Sequence, residues 1–315
     1  MDVLSRDVLG LAQLCRWGSL TLRDWSGSEG TPGCGQRGRG MAMTLATFEP
    51  IGRPSKLLNH TVWKPVSPPN APDRFLYLEC SASIAKQFRM LNMGCVENEV
   101  PVTAHPELAR FDYRFDWVFG VPKSVDTMVG LLKEVLTLGR RQHIDFTLAL
   151  DWYSTAPEPG STVFGKTEAG ALVNKGKYWS DGPEKRRARG KIAESLADVI
   201  GRHPLLQSAP TVVTVPGSKA DFSSFGESLA RHMAERTAKK LVQTQCRSGA
   251  RPPRKEDSSV ELIGEFVLPG TVAGPVLIID DVYKSGESMN AVALAARQAG
   301  ASAVYGLAIA KTMAN

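Results

Sequence analysis

The chain has 315 residues, 43% hydrophobic and 22% charged, a usage that excludes a disordered or fibrous protein and leaves room for one large or two modest domains. Its 38 basic and 32 acidic residues leave a net charge of +6, which points to an anionic partner: nucleic acid, a membrane surface or a phosphorylated small molecule. No apolar run reaches the roughly 18 residues a membrane helix needs, and Cys15, Cys34, Cys80, Cys95 and Cys246 form neither a disulfide pattern nor a CxxC metal pair.

Residues 1–40 hold eight glycines and no apolar periodicity, so the segment reads as a disordered tail or an extension ahead of an alternative start at Met41. Charged Asp2, Arg6, Asp7, Arg16 and Arg23 interrupt any apolar stretch, which argues against a secretory signal and, with the odd cysteine count, for the cytoplasm. Gly33, Gly35 and Gly38 match GxGxxG, but no strand precedes them and no helix follows, so the dinucleotide reading is discarded.

Residues 41–165 form an N-terminal region of uncertain α+β type. After a Pro-rich stretch, FLYLEC (75–80) reads as a strand. Ser124 is placed to cap a helix whose Val125, Met128, Val129, Leu132 and Leu136 fall at helical spacing, with Arg140 and Arg141 complementing the dipole at its end. DFTLALDWY (145–153) reads as the next strand. From 166 onward the elements alternate: a helix at 184–202, strand TVVTV (211–215), a helix at 223–242, a basic loop, strands VELIGEFVL (260–268) and PVLIID (275–280), a helix at 287–299 and strand AVYGLAIA (303–310). That alternation predicts an α/β domain over 166–315, a parallel sheet flanked by helices, with function at the carboxyl ends of the strands.

The informative stretch runs from Val276 to Met289. An apolar strand delivers Asp280 and Asp281 at its end, and a turn with Ser285, Gly286 and Ser288 opens into a helix. Gly286 lets backbone approach an anion, the hydroxyls donate, and the helix start favours negative charge, so the turn is a phosphate cradle. Paired carboxylates ahead of it can accept from vicinal hydroxyls or hold a divalent cation. Phosphate at one end and diol acceptors at the other match a ribose 5-phosphate.

This segment resembles the phosphoribosyl-pyrophosphate (PRPP) signature of type I phosphoribosyltransferases, and AVALAARQAGASAVYGLAIAKT resembles the unit that follows it there; the end of the chain looks most like the ComF-type branch. The resemblance implies ribose hydroxyls on Asp280 and Asp281, the 5-phosphate on Val282, Tyr283, Lys284, Ser285, Gly286, Glu287 and Ser288, and Mg²⁺ near the acid pair, directly or indirectly. It implies pyrophosphate contacts from the Val213–Lys219 loop, with Lys219 as the basic side chain. It also implies a mobile loop between Gln243 and Asp257 whose Arg247, Arg251, Arg254 and Lys255 would meet the leaving pyrophosphate. Asp280, Asp281 and Lys219 would then carry the pentosyl transfer, to an acceptor the sequence does not identify.

Two departures limit the carry-over. The zinc ribbon of ComF relatives has no counterpart here, and Lys284 stands where purine-salvage members carry an aspartate, which disfavours a purine acceptor. Lys175–Lys191 holds seven basic residues against two acidic ones. It resembles the Lys-Tyr segment and first helix of ComF relatives and could bind nucleic acid. The alternative is therefore a non-catalytic PRPP or nucleotide sensor acting on nucleic acid or a protein partner, as a monomer or an oligomer.

Overall fold

A computed structural model describes residues 55–64, 72–91, 94–139, 141–157, 162–251 and 262–313. The expectations for the Gly-rich tail and Met41, and for Arg140, Arg254 and Lys255, fall outside these residues. The first described strands, β1 (Asn59–Trp63), β2 (Phe75–Glu79), β3 (Cys95–Asn98) and β4 (Tyr113–Trp117), form an antiparallel sheet in the order β1-β2-β4-β3. Alternation along β2 sets its two faces. Leu76 and Leu78 join the main core with Ile84 and Phe88 of α1 (Ala82–Met90), while Tyr77 turns to a small cluster with Leu108 and Phe111.

Next come α2 (Lys123–Glu134), β5 (Leu136–Leu138), β6 (Phe146–Trp152), α3 (Glu168–Tyr178), α4 (Pro183–Arg202), α5 (Pro204–Ser208) and β7 (Thr211–Thr214). The chain continues through α6 (Phe225–Arg236), β8 (Lys240–Val242), the short pair β9 (Gln245–Cys246) and β10 (Phe266–Val267), β11 (Pro275–Tyr283), α7 (Glu287–Gln298) and β12 (Ala303–Lys311). One six-stranded sheet in the order β5-β6-β12-β11-β7-β8 organises them, parallel except for β5. It draws β5 and β6 from before residue 165, so the sheet crosses the boundary expected at 165–166.

Both faces of the sheet are covered, as its continuous apolar strands require. On β11, Leu277 and Ile279 enter the cluster built with α3, α4 and α6, whereas Val276 and Ile278 enter the one built with α7. Each of these side chains is fully buried and contributes roughly 1.5–3 kcal/mol.

Three element expectations are corrected. The helix starting near Ser124 begins at Lys123 behind Pro122 and ends at Glu134. Leu136, placed on its apolar face by periodicity, lies instead in β5 opposite Ala149, because sheet pairing outweighs helical spacing once Val135 is extended. The 223–242 helix ends at Arg236, after which β8 pairs with β7. Of VELIGEFVL, Ile263–Glu265 form a turn through Gly264 at φ +82° and Phe266–Val267 form β10. A further helix, α3, lies outside the expected elements, and its start is capped by Thr167 accepting from the Gly170 N–H at 3.0 Å.

Candidate functional site

The site arises where the sheet changes direction. β7 and β11 are parallel neighbours, but α6 after β7 packs on one face and α7 after β11 on the other. Their departure in opposite directions opens a crevice at the carboxyl ends of the two strands. Pairing with β7 stops at Ile279, while β11 continues beside β12 as far as Tyr283. Asp280 and Asp281 therefore stand at the crevice with no β7 residue paired to them.

The floor is the acid pair. Asp280 Oδ1 accepts from the Asp281 N–H and Asp281 Oδ1 from the Val282 N–H, each at 2.8 Å. Asp281 Oδ2 lies 2.6 Å from the Lys177 ammonium. Surrounding protein and then the negative Asp281 push the Asp280 carboxyl well above the usual carboxylate range. Burial alone would lower the Lys177 pKa, yet Asp281, with Asp280 behind it, more than offsets this and holds it above its ordinary value.

One wall is the loop between β7 and α6. Ser224 accepts from the Glu227 N–H while Glu227 accepts from Ser224, a reciprocal cap, and Glu227 also accepts from the Gly217 N–H at 3.3 Å. Ala220 and Phe222 sit in the left-handed region at φ 51° and 58°, a strained backbone for side-chain-bearing residues. Gly226 brings the first turn of α6 against the floor. A Cβ there would stand 2.9 Å from Asp280 Oδ1.

The turn into α7 borders the same cleft through Ser288. Gly286 adopts φ +78°, and a Cβ on it would stand 2.1 Å from the hydroxyl of the buried Tyr283 and 2.2 Å from its ring. Arg141 donates to the Ser285 carbonyl and bonds the Tyr283 hydroxyl; burial pushes the tyrosine pKa up and Arg141 opposes it. Arg141 is thus tied to this turn rather than to the end of α2, which stops seven residues earlier at Glu134.

Together these elements enclose a cleft of about 570 Å³. Asp280, Asp281, Lys219 and Ser288 all line it. Tyr283 is buried beneath the turn, Val282 packs against the main core, and Lys284 and Glu287 are exposed. Arg251 braces the wall instead of facing the cleft: its side chain donates to the Pro216 carbonyl at 3.0 Å and its N–H to the Ser218 carbonyl at 2.8 Å. Arg247 lies in the β9–β10 hairpin, its N–H bonded to the Glu265 carbonyl.

Lys177 and Arg189, both within the basic segment 175–191 that could bind nucleic acid, also line the cleft. Within that segment Lys185 pairs with Asp181, Arg187 with Glu184, and Lys175 lies over Trp179. Among the described residues no group of three or more His, Cys, Asp or Glu could hold a metal ion. The acid pair supplies two carboxylates, one oxygen of which is bonded to Lys177. No helix among these residues is long and apolar enough to cross a membrane.

No family model matches the chain, and no curated protein matches its sequence. Among solved structures, orotate phosphoribosyltransferase from Aeropyrum pernix aligns over 45% of this chain and 78% of its own, with 20% identity and a TM-score of 0.29.

Proposed function

We propose that the chain is a phosphoribosyltransferase-like protein that binds PRPP as its magnesium salt and transfers the phosphoribosyl group to an acceptor, releasing pyrophosphate. The supporting observation is the set of groups that line one cleft: Ser288 in the first turn of α7, Asp280 and Asp281 at the end of β11, and Lys219 in the loop between β7 and α6. PRPP carries a phosphate, a ribose diol and a diphosphate, one for each of these groups.

In this reading the turn ending at Ser288 holds the 5-phosphate, with Gly286 and Arg141 setting its shape. Asp281 accepts from a ribose hydroxyl in exchange for part of its contact with Lys177, and Asp280, whose Oδ1 already accepts from the Asp281 N–H, meets the neighbouring hydroxyl through its other carboxyl oxygen. Lys219, with Arg189 and the N-terminal turn of α6, faces the diphosphate. Magnesium bound with the substrate would neutralise diphosphate charge, and Asp280 and Asp281 are the carboxylates that would meet it, directly or indirectly. The C1–oxygen bond breaks with its electron pair leaving on pyrophosphate, an acceptor lone pair forms the new bond to C1, and the acceptor proton passes to solvent.

Calorimetry with Mg-PRPP tests the binding half of this reading. Asp280→Asn combined with Asp281→Asn abolishes the signal, and unchanged binding refutes the assignment. Pyrophosphate release in the presence of a panel of nucleobases tests transfer. Tight PRPP binding without acceptor-dependent release favours the sensor, a reading that the exposed Arg186 and Arg187 of α4 keep open.

A further inference from the structure

The cleft continues past α6. Arg189, Phe225 and Ser228 line both it and a second groove of about 370 Å³ between α4 and α6. The other walls of that groove are Arg186, Gly190, Leu229 and His232. Helical spacing builds them: Arg186, Arg189 and Gly190 fall three and four apart on α4, and Phe225, Ser228, Leu229 and His232 do so on α6. Nothing lies within 4 Å of where a Gly190 Cβ would stand, so the α4 backbone leaves the groove open.

The lining is chemically one-sided. Two guanidiniums, an imidazole and a hydroxyl face the Phe225 ring and Leu229, and no carboxylate is among the groove's lining residues. Asp181, whose carboxyl feels both arginines, is bonded to Lys185 at 3.0 Å. No ion pair among the described residues engages Arg186 or Arg189. Arg189 is held in place at the shared wall: its Nε donates to the Gly176 carbonyl at 3.0 Å and its guanidinium lies 5.2 Å from the Phe225 ring centroid. That bond uses Nε, and the terminal nitrogens carry the remaining donors.

We propose that this groove is a second anion site, built for a small aromatic phosphate of the nucleoside monophosphate type. The phosphate meets Arg186 and Ser228, the ring system rests on Phe225 and Leu229, and Arg189 stands between groove and cleft. The groove's size falls within the range of small-molecule sites. Because Arg189 belongs to both, a phosphate in the groove draws its charge away from the cleft, and binding at the two sites is antagonistic.

Calorimetry on the full chain with adenosine monophosphate, adenosine and inorganic phosphate is the test. The monophosphate binds, and adenosine and phosphate alone bind at least tenfold more weakly. Arg186→Gln, at an exposed position, lowers monophosphate affinity about tenfold or more with unchanged thermal unfolding, and Arg186→Lys loses less. The Asp280→Asn, Asp281→Asn variant keeps this binding even where Mg-PRPP binding is lost, which separates the groove from the transferase reading. Absence of binding by the native chain, equal affinity in Arg186→Gln, loss of binding in the double Asp variant, or sedimentation showing a second copy covering the groove would each overturn the proposal.

Discussion

The Lys177 ammonium lies 2.6 Å from Asp281 Oδ2, joining the last turn of α3 to the end of β11 across 104 residues of sequence. Asp281 is 7% exposed, so the cation neutralises a carboxylate that would otherwise be nearly buried beside a second acid. Removing it with Lys177→Met leaves that charge uncompensated. We expect a loss of about 1 kcal/mol in stability, modest because the lysine itself is partly solvated, and about tenfold weaker Mg-PRPP binding, since the bare acid pair repels the diphosphate. Denaturant unfolding and calorimetry measure the two effects; unchanged values in both remove the pair from the site.

Asp280 gives a pH dependence of definite sign. Its folded-state pKa is raised by burial and by Asp281, so above the ordinary carboxylate value the folded chain keeps a proton that the unfolded chain has released. Its contribution to stability is present below that value and is lost as pH rises towards the folded pKa. Asp280→Asn removes the effect. Thermal unfolding across pH therefore shows the variant matching the native chain at about pH 3, below the ordinary carboxylate pKa, and exceeding it increasingly towards neutrality.

His203 carries the opposite slope. Its ring is fully buried, stacked on Phe146 with centroids 5.1 Å apart and bonded to Gln87 Oε1 at 2.9 Å, and burial lowers its pKa to about 3. The unfolded chain takes up a proton below about pH 6.5 while the folded chain stays neutral, so stability falls with acidification from there towards pH 3. His203→Gln flattens this part of the profile at a cost of about 1–3 kcal/mol at neutral pH. A profile as steep as the native one would assign the acid sensitivity elsewhere.

Two glycines predict opposite outcomes for the same substitution. At Gly286 the positive φ and the Tyr283 ring leave no room for a Cβ, so Gly286→Ala destabilises the chain by about 2 kcal/mol or more and disturbs the turn. At Gly201, inside α4 with nothing within 4 Å, alanine adds about 0.5–1 kcal/mol. Chemical denaturation of the two variants checks both signs.

The residues around the acid pair were legible because their chemistry is local. Strand, carboxylates, left-handed glycine and helix follow one another within Val276–Ser288, and each has a recognisable residue type. Arg141 and Lys177 are not legible in this way, for the opposite reason. Arg141 reads as the end of a helix that in fact stops at Glu134, and its partner, the Ser285 carbonyl, lies 144 residues away. Arg251, read as a loop cation for a leaving group, is spent on the carbonyls of Pro216 and Ser218.

By itself the sequence determined the alternation of apolar strands and amphipathic helices, and the acid pair with its hydroxyl-bearing turn, since these follow from side-chain type and spacing within a few residues. Only the tertiary structure decided that Leu136 is a strand residue, that β5 and β6 belong to the six-stranded sheet, and that Lys219, Lys177 and Arg189 converge on Asp280 and Asp281. The physical reason is the crossing of the chain over the sheet. With α6 and α7 leaving neighbouring strands towards opposite faces, loops remote in sequence meet at one crevice, and periodicity along the chain carries no record of that meeting.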